Sequence, residues 1–241
     1  MYVKGVLLLN MLKRFTPQIC LLLIICLVAV FGYVKTEYID ADVNTDIIPT
    51  VIIDAGHGGF DGGASANDGT VEKDINLQIS LKTANMLKLY GFNVIMTRES
   101  DTGTEDDETQ SIAKRKKSDL YNRLDFMKEN PDAIFVSVHL NKFTTSAANG
   151  AQVFYTKNYK EAFSLAQSVQ QSITKLIQPE NTRVVKQGTD STYLLKNATV
   201  PAIIVECGFL SNKSELEKLK TDEYQSQMAF CIVCGILDYI K

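Results

Sequence analysis

Tryptophan is absent from the 241-residue chain, and there are only two histidines and five prolines. Without tryptophan, a module that stacks sugars on indole rings is disfavoured. Fourteen glycines and five prolines, set against 45% hydrophobic residues, exclude collagen-like, low-complexity and mainly disordered classes. Five cysteines are too few for a disulfide scaffold of this length. Excess positive charge is also missing. Lys and Arg total 25 and Asp and Glu total 28, a net charge of −3. No basic nucleic-acid footprint exists, so no nucleic-acid partner is expected. Long apolar runs are confined to one place, which excludes a multi-span membrane protein.

That one run begins the chain's organisation. Residues 1–14 carry Lys4, Lys13 and Arg14 and no acid. Residues 19–34 (ICLLLIICLVAVFGYV) hold no charge. A full membrane span needs about 20 apolar residues, so residues 1–34 read as either a signal peptide or a short signal anchor. A weak cleavage site lies after Gly32. The positive flank places the chain beyond residue 35 outside the cytoplasmic membrane. Residues 35–49 are acidic and aperiodic and read as a linker. Charges within residues 1–50 cancel, so residues 50–241 keep the −3 and are long enough for one domain with a sizeable core.

Periodicity assigns alternating strands and helices. Buried strands are expected at 50–54 (TVIID), 92–97, 133–138 (AIFVSV), 151–155 and 201–206 (PAIIVE). A further short strand is expected at 193–195. Helices are expected at 74–90, 112–129, 162–177, 213–219 and 224–240, with Gly91 closing the first. Strands separated by helices give an α/β fold, whose sites gather at the carboxyl ends of strands.

Chemistry-bearing residues fall at those ends. His57 comes just after the first strand in a glycine-rich loop, and His139 ends the third. Glu72 precedes the first helix, and Glu206 ends the last strand. Two imidazoles and a carboxylate form a ligand set that zinc accepts while keeping a position for water. A fourth, unligated carboxylate can take a proton from that water. Each residue alone also has an ordinary structural use. Histidines at strand ends commonly hydrogen-bond within the fold, and Glu72 suits a helix N-terminus. The glycines could cradle phosphate, although neither GxGxxG nor GxxxxGK[ST] occurs. Glu206 is harder to dismiss, because a bare carboxylate closing an apolar strand is costly. Spacing alone leaves the metal and structural readings open.

The motifs DAGHGGFDGGA (54–64), EKDINL (72–77), MTR (96–98), NRLDF (122–126), FVSVHLN (135–141) and VECGFLSN (205–212) recur in order. In them the chain resembles the zinc-dependent N-acetylmuramoyl-L-alanine amidases of the amidase_3 type. The resemblance implies a single α/β domain over residues 50–241, with a mostly parallel sheet of about six strands flanked by helices and preceded by the N-terminal hydrophobic segment. It implies one Zn2+ held by His57, Glu72 and His139, with Glu206 as the catalytic carboxylate. It implies peptidoglycan as substrate, cut between N-acetylmuramic acid and L-alanine. Ala55 stands where many members carry proline. KRKKSDLYNRLDF, SVHLNKF, YLLKNATVPAIIVECGFLSN and the N-terminal segment are similar to the family's spore-cortex amidases from endospore-forming bacteria. That narrower resemblance implies a functional link to a muramic acid deacetylase in making muramic-δ-lactam, a partner protein assisting zinc loading or activity, and the forespore intermembrane space as location. A general vegetative wall amidase, a zinc peptidase cutting within the stem peptide, and a non-catalytic wall-binding module are the alternatives.

Other residues carry weaker expectations. Arg98 and Arg123 either position acidic groups of the stem peptide or pair with acids in the fold. Asn141 is a candidate for shaping the groove. Lys114, Arg115, Lys116 and Lys117 read as a solvated helix face or a contact for anionic wall polymers or lipid headgroups. Cys231 and Cys234 are small core residues or, less readily, a redox or metal motif.

Overall fold

The computed structural model describes residues 49–107, 109–190 and 192–241. The expected signal segment and nearly all of the linker lie outside these residues. The strands are β1 (Thr50–Ala55), β2 (Asn93–Met96), β3 (Ile134–Asn141), β4 (Gln152–Tyr155), β5 (Lys186–Gln187) and β6 (Ala202–Phe209). The helices are α1 (Glu72–Leu89), α2 (Ile112–Glu129), α3 (Glu161–Leu176), α4 (Tyr193–Asn197), α5 (Lys213–Leu219) and α6 (Asp222–Ile240). They build one α/β unit around a six-stranded sheet of order β2-β1-β3-β6-β4-β5. Pairing is parallel except between β6 and β4.

Strands buried on both faces must be apolar on both, and the inner runs TVII, IFVSV and AIIV meet that need. On one face Val51, Ile53, Val136, Val138, Ile203, Val205 and Cys207 share a core with Ile79 of α1, Val169 of α3 and Ile232 of α6. On the other, Ile52, Phe135, Ala202 and Ile204 pack with Leu124 and Met127 of α2 and Leu194 and Leu195 of α4. Alternation along each strand then dictates where polar residues emerge. Asp54, Ser137 and Ile204 form one row on the α2 side. Two residues further along, His139, Glu206 and Gln152 sit side by side on β3, β6 and β4.

Three expectations need correction. Residues 193–195 are not a strand but the start of α4, because Leu194 and Leu195 must both enter the second core, which helical turning allows and strand alternation forbids. Glu206 does not end its strand. β6 continues to Phe209, with one extra residue accommodated between the His139–Glu206 and Asn141–Phe209 pairs. The first helix begins at Glu72 rather than after it. The two-residue strand β5 carried no sequence signal, since Lys186 and Gln187 are exposed. Cys207, Cys231 and Cys234 are free thiols; burial pushes the Cys231 thiol up to about 12, consistent with its core packing.

Candidate active site

The loop after β1 carries the site and is fixed from below by two arginines. Arg123 of α2 is buried and ion-paired with Asp54 and Asp119. Its Nη1 also donates to the Ala55 carbonyl at 3.0 Å and its Nη2 to the His57 carbonyl at 2.7 Å. Arg98 donates from Nε to the Ala55 carbonyl at 2.9 Å and from Nη2 to those of Gly56 and Lys73 at 3.1 and 2.9 Å. Both guanidinium groups are therefore engaged within the fold. Asp54 has no solvent contact. Burial pushes its carboxyl upward, but Arg123 and hydrogen bonds from Ser137 and Thr97 outweigh this and hold it below the usual range.

His57 takes a positive φ of 63°, unusual for a residue with a side chain. The Arg123 bond to its own carbonyl helps hold that turn. Its Nδ1 meets Asp61 Oδ2 at 2.8 Å, and its Nε2 lies 3.3 Å from Glu72 Oε1. His139 brings its Nδ1 to 3.0 Å from the same oxygen. Gly56 makes room for that ring, since a Cβ there would stand 2.3 Å from His139 Nε2. Glu72 is oriented by the Ala64 N–H on Oε2 at 2.8 Å and by the Leu140 N–H on Oε1 at 3.1 Å. A cavity of about 190 Å3 borders both histidines, with Asp54, Gly56, Asp61 and Arg123 in its wall.

His57, Glu72 and His139, 67 residues apart between the last two, thus each offer one donor atom, all within 4.8 Å of one another. A tetrahedral zinc sphere with bonds of about 2.0–2.1 Å separates its ligands by roughly 3.3 Å. The two separations from Glu72 Oε1, 3.3 and 3.0 Å, fit that sphere. Asp61 is placed where a carboxylate would fix the tautomer of His57 if that imidazole held an ion. Without an ion the same contacts hold protons. Burial pulls His57 down, but its bonds to Asp61 and Glu72 outweigh that and raise it to about 9. Glu72 is pushed up by burial and pulled well below its usual range by His139 and His57.

Glu206 stands beside His139 in register. Its Oε2 is shut off from solvent and has no hydrogen-bond partner among the described residues. Burial raises its carboxyl, partly countered by His139. Four residues named from sequence therefore converge. Sequence reasoning missed Asp61 and Asp54, although the acid in TVIID invited the argument applied to Glu206. It also missed part of the role of the basic run. Lys116 pairs with Asp61 at 2.9 Å, and Arg115 pairs with Glu105 at 2.6 Å and lies 4.0 Å over Phe60. Arg115 departs from a solvated face, because the acidic loop folds back onto α2, whereas Lys114, Lys116 and Lys117 stay exposed as expected. Asn141 ends β3, its carbonyl accepting the Leu210 N–H at 2.8 Å.

Residues 51–238 match the family model described as N-acetylmuramoyl-L-alanine amidase, and the chain belongs to that family. It is 36% identical over 189 residues to the germination-specific N-acetylmuramoyl-L-alanine amidase of Bacillus subtilis, covering 78% of each chain. Among solved structures it is similar to the CwlD amidase of Clostridioides difficile in complex with the GerS lipoprotein, with TM-score 0.77 and 39% identity over 80% of this chain and 98% of that one. An N-acetylmuramoyl-L-alanine amidase from Clostridium difficile 630 matches with TM-score 0.68 and 32% identity, covering 80% and 96%. The chain is thus a cell-wall amidase. No described helix is long and apolar enough to cross a membrane.

Proposed function

We propose that this chain is a zinc-dependent amidase that frees stem peptides from muramic acid in spore cortex. The observation that carries the reading is the convergence of His57, Glu72 and His139 within 4.8 Å, next to a buried carboxylate with an unpartnered oxygen. His57 Nε2, His139 Nδ1 and Glu72 Oε1 are the atoms that would hold the ion. When bound, zinc supplies Lewis acidity and lowers the pKa of water towards 7.

The chain's own groups do the rest. Asp61 holds the proton of His57 Nδ1 and so keeps Nε2 free of one. Glu206 accepts the proton from the water that attacks the lactyl carbonyl carbon. It then delivers that proton to the alanine nitrogen as the C–N bond breaks. The products are a lactyl carboxylate and a stem peptide with a free L-alanine amine. An upward-shifted carboxyl suits this double duty, since a base works best with a pKa near the working pH.

Export and cellular role belong to the same proposal. Residues 1–34 would export the chain, as a cleaved signal or an anchor, with residues 35–49 as tether and 50–241 as the catalytic domain. The germination-specific relative supports a spore-cortex role, with a deacetylase completing muramic-δ-lactam. The GerS lipoprotein complex of CwlD supports a protein partner for this chain.

Digestion of spore-type peptidoglycan by the purified protein tests the reading. Stem peptides beginning in free L-alanine are expected, and Glu206→Gln should lower kcat by about 10²–10⁴-fold. Products that retain L-alanine on muramic acid would show a peptidase instead.

A further inference from the structure

We propose that Arg183 recognises a carboxylate on the stem peptide and is a specificity-determining residue of the amidase. The inference rests on the amidase reading and extends it to the far side of Glu206 from His57 and Glu72. The arginines first considered for such a task, Arg98 and Arg123, are buried and spend their donors on backbone carbonyls and on Asp54 and Asp119. Arg183 differs. It is half-buried, and no carboxylate lies within 4.0 Å of its guanidinium among the described residues.

Its placement points at the site. Gln152 is the register partner of Glu206 on β4, so the two side chains emerge next to each other on one face. Gln152 Oε1 accepts from Arg183 Nη1 at 3.1 Å, and the Asn149 carbonyl accepts from Nε at 2.7 Å. Gln152 Nε2 donates to the Val184 carbonyl at 2.8 Å, so it is locked against the segment that carries Arg183. The guanidinium carbon lies 4.7 Å above the Phe209 ring. Phe209 in turn meets the half-exposed Phe143 edge-to-face at 5.0 Å. Neutral acceptors and an aromatic ring therefore fix the plane of the guanidinium without cancelling its charge, while Nη2 donates to nothing among the described residues. A rigid, uncompensated cationic fork is what recognises a carboxylate.

Peptidoglycan puts carboxylates on the peptide, whereas its uncut glycan is neutral at the lactyl amide. The ligand class is thus an acidic residue of the stem peptide beyond L-alanine.

The test compares two muropeptides that differ only in having a carboxylate or a carboxamide on the stem peptide. Wild type, Arg183→Gln and Arg183→Lys are assayed on both. Arg183→Gln should raise KM for the carboxylate substrate about tenfold, the size of one charge-assisted hydrogen bond. It should leave kcat and the carboxamide substrate within twofold, and Arg183→Lys should recover part of the loss. Equal losses on both substrates, or none on either, would overturn the assignment, the first marking a structural arginine. Failure of the wild type to release L-alanine from either substrate would instead overturn the amidase reading.

Discussion

At the scale of single residues, the site is decided by what each imidazole nitrogen faces. Asp61 takes one nitrogen of His57 at 2.8 Å, and the other is left towards Glu72. Asp61→Asn keeps the shape and weakens that acceptor. Zinc affinity is expected to fall about 10–100-fold, read by competition with a chelator of known strength. Unchanged affinity would mean that Asp61 does not orient the ligand. A pH effect arises from the same contacts. In the metal-free protein His57 is raised from 6.5 to about 9. A group raised on folding stabilises fully below its unfolded value and loses that contribution as pH climbs through the folded one. Thermal unfolding of metal-free protein should therefore show stability from this group falling between about pH 6.5 and 9. Zinc must displace the same proton, so its affinity should rise over that window and be poor below about pH 6. A melting temperature that climbs steadily across that window without metal would contradict this.

At the scale of elements, strand alternation and helix α2 divide the labour. Alternation delivers His139, Glu206 and Gln152 to one face in one row. Helix α2 reaches under the loop through Arg123, which joins Asp54 to the carbonyls of Ala55 and His57. Removing Arg123 leaves Asp54 buried without its cation. Arg123→Ala is expected to cost about 3–5 kcal/mol by urea denaturation, and to lower zinc affinity because the His57 turn loses its tie. A loss below about 1 kcal/mol, the scale of an exposed ion pair, would mean that the pair is not what holds the loop. These elements were largely legible in the sequence. The apolar runs TVII, FVSV and AIIV announced the central strands, and Gly91 announced the end of α1. Tyr193 to Leu195 misled because three residues cannot display a period. Lys186 and Gln187 offered no pattern at all.

At the scale of the whole molecule, His57 and Glu72 reach the site from one end of the chain, His139 from the middle strand and Glu206 from the last. Sequence position hides this convergence. The motifs named the four residues, but their shared face is set only by the sheet order β2-β1-β3-β6-β4-β5, which puts β3 between β1 and β6. The pairing of Lys116 with Asp61 and the placement of Arg183 on Asn149 and Gln152 stayed illegible for a related reason. The partners lie across loops whose course no periodicity encodes. Zinc bound to the folded chain alone should also stabilise it, by about 2.7 kcal/mol at a free concentration 100 times Kd. The most direct measurement of the central claim is zinc bound per chain in purified His57→Ala, Glu72→Ala, His139→Ala and Glu206→Gln. The three ligand variants are expected to lose the ion, while Glu206→Gln keeps one and no longer releases stem peptides. A ligand variant that retains its zinc, or a Glu206→Gln protein that loses it, would contradict the assignment of roles.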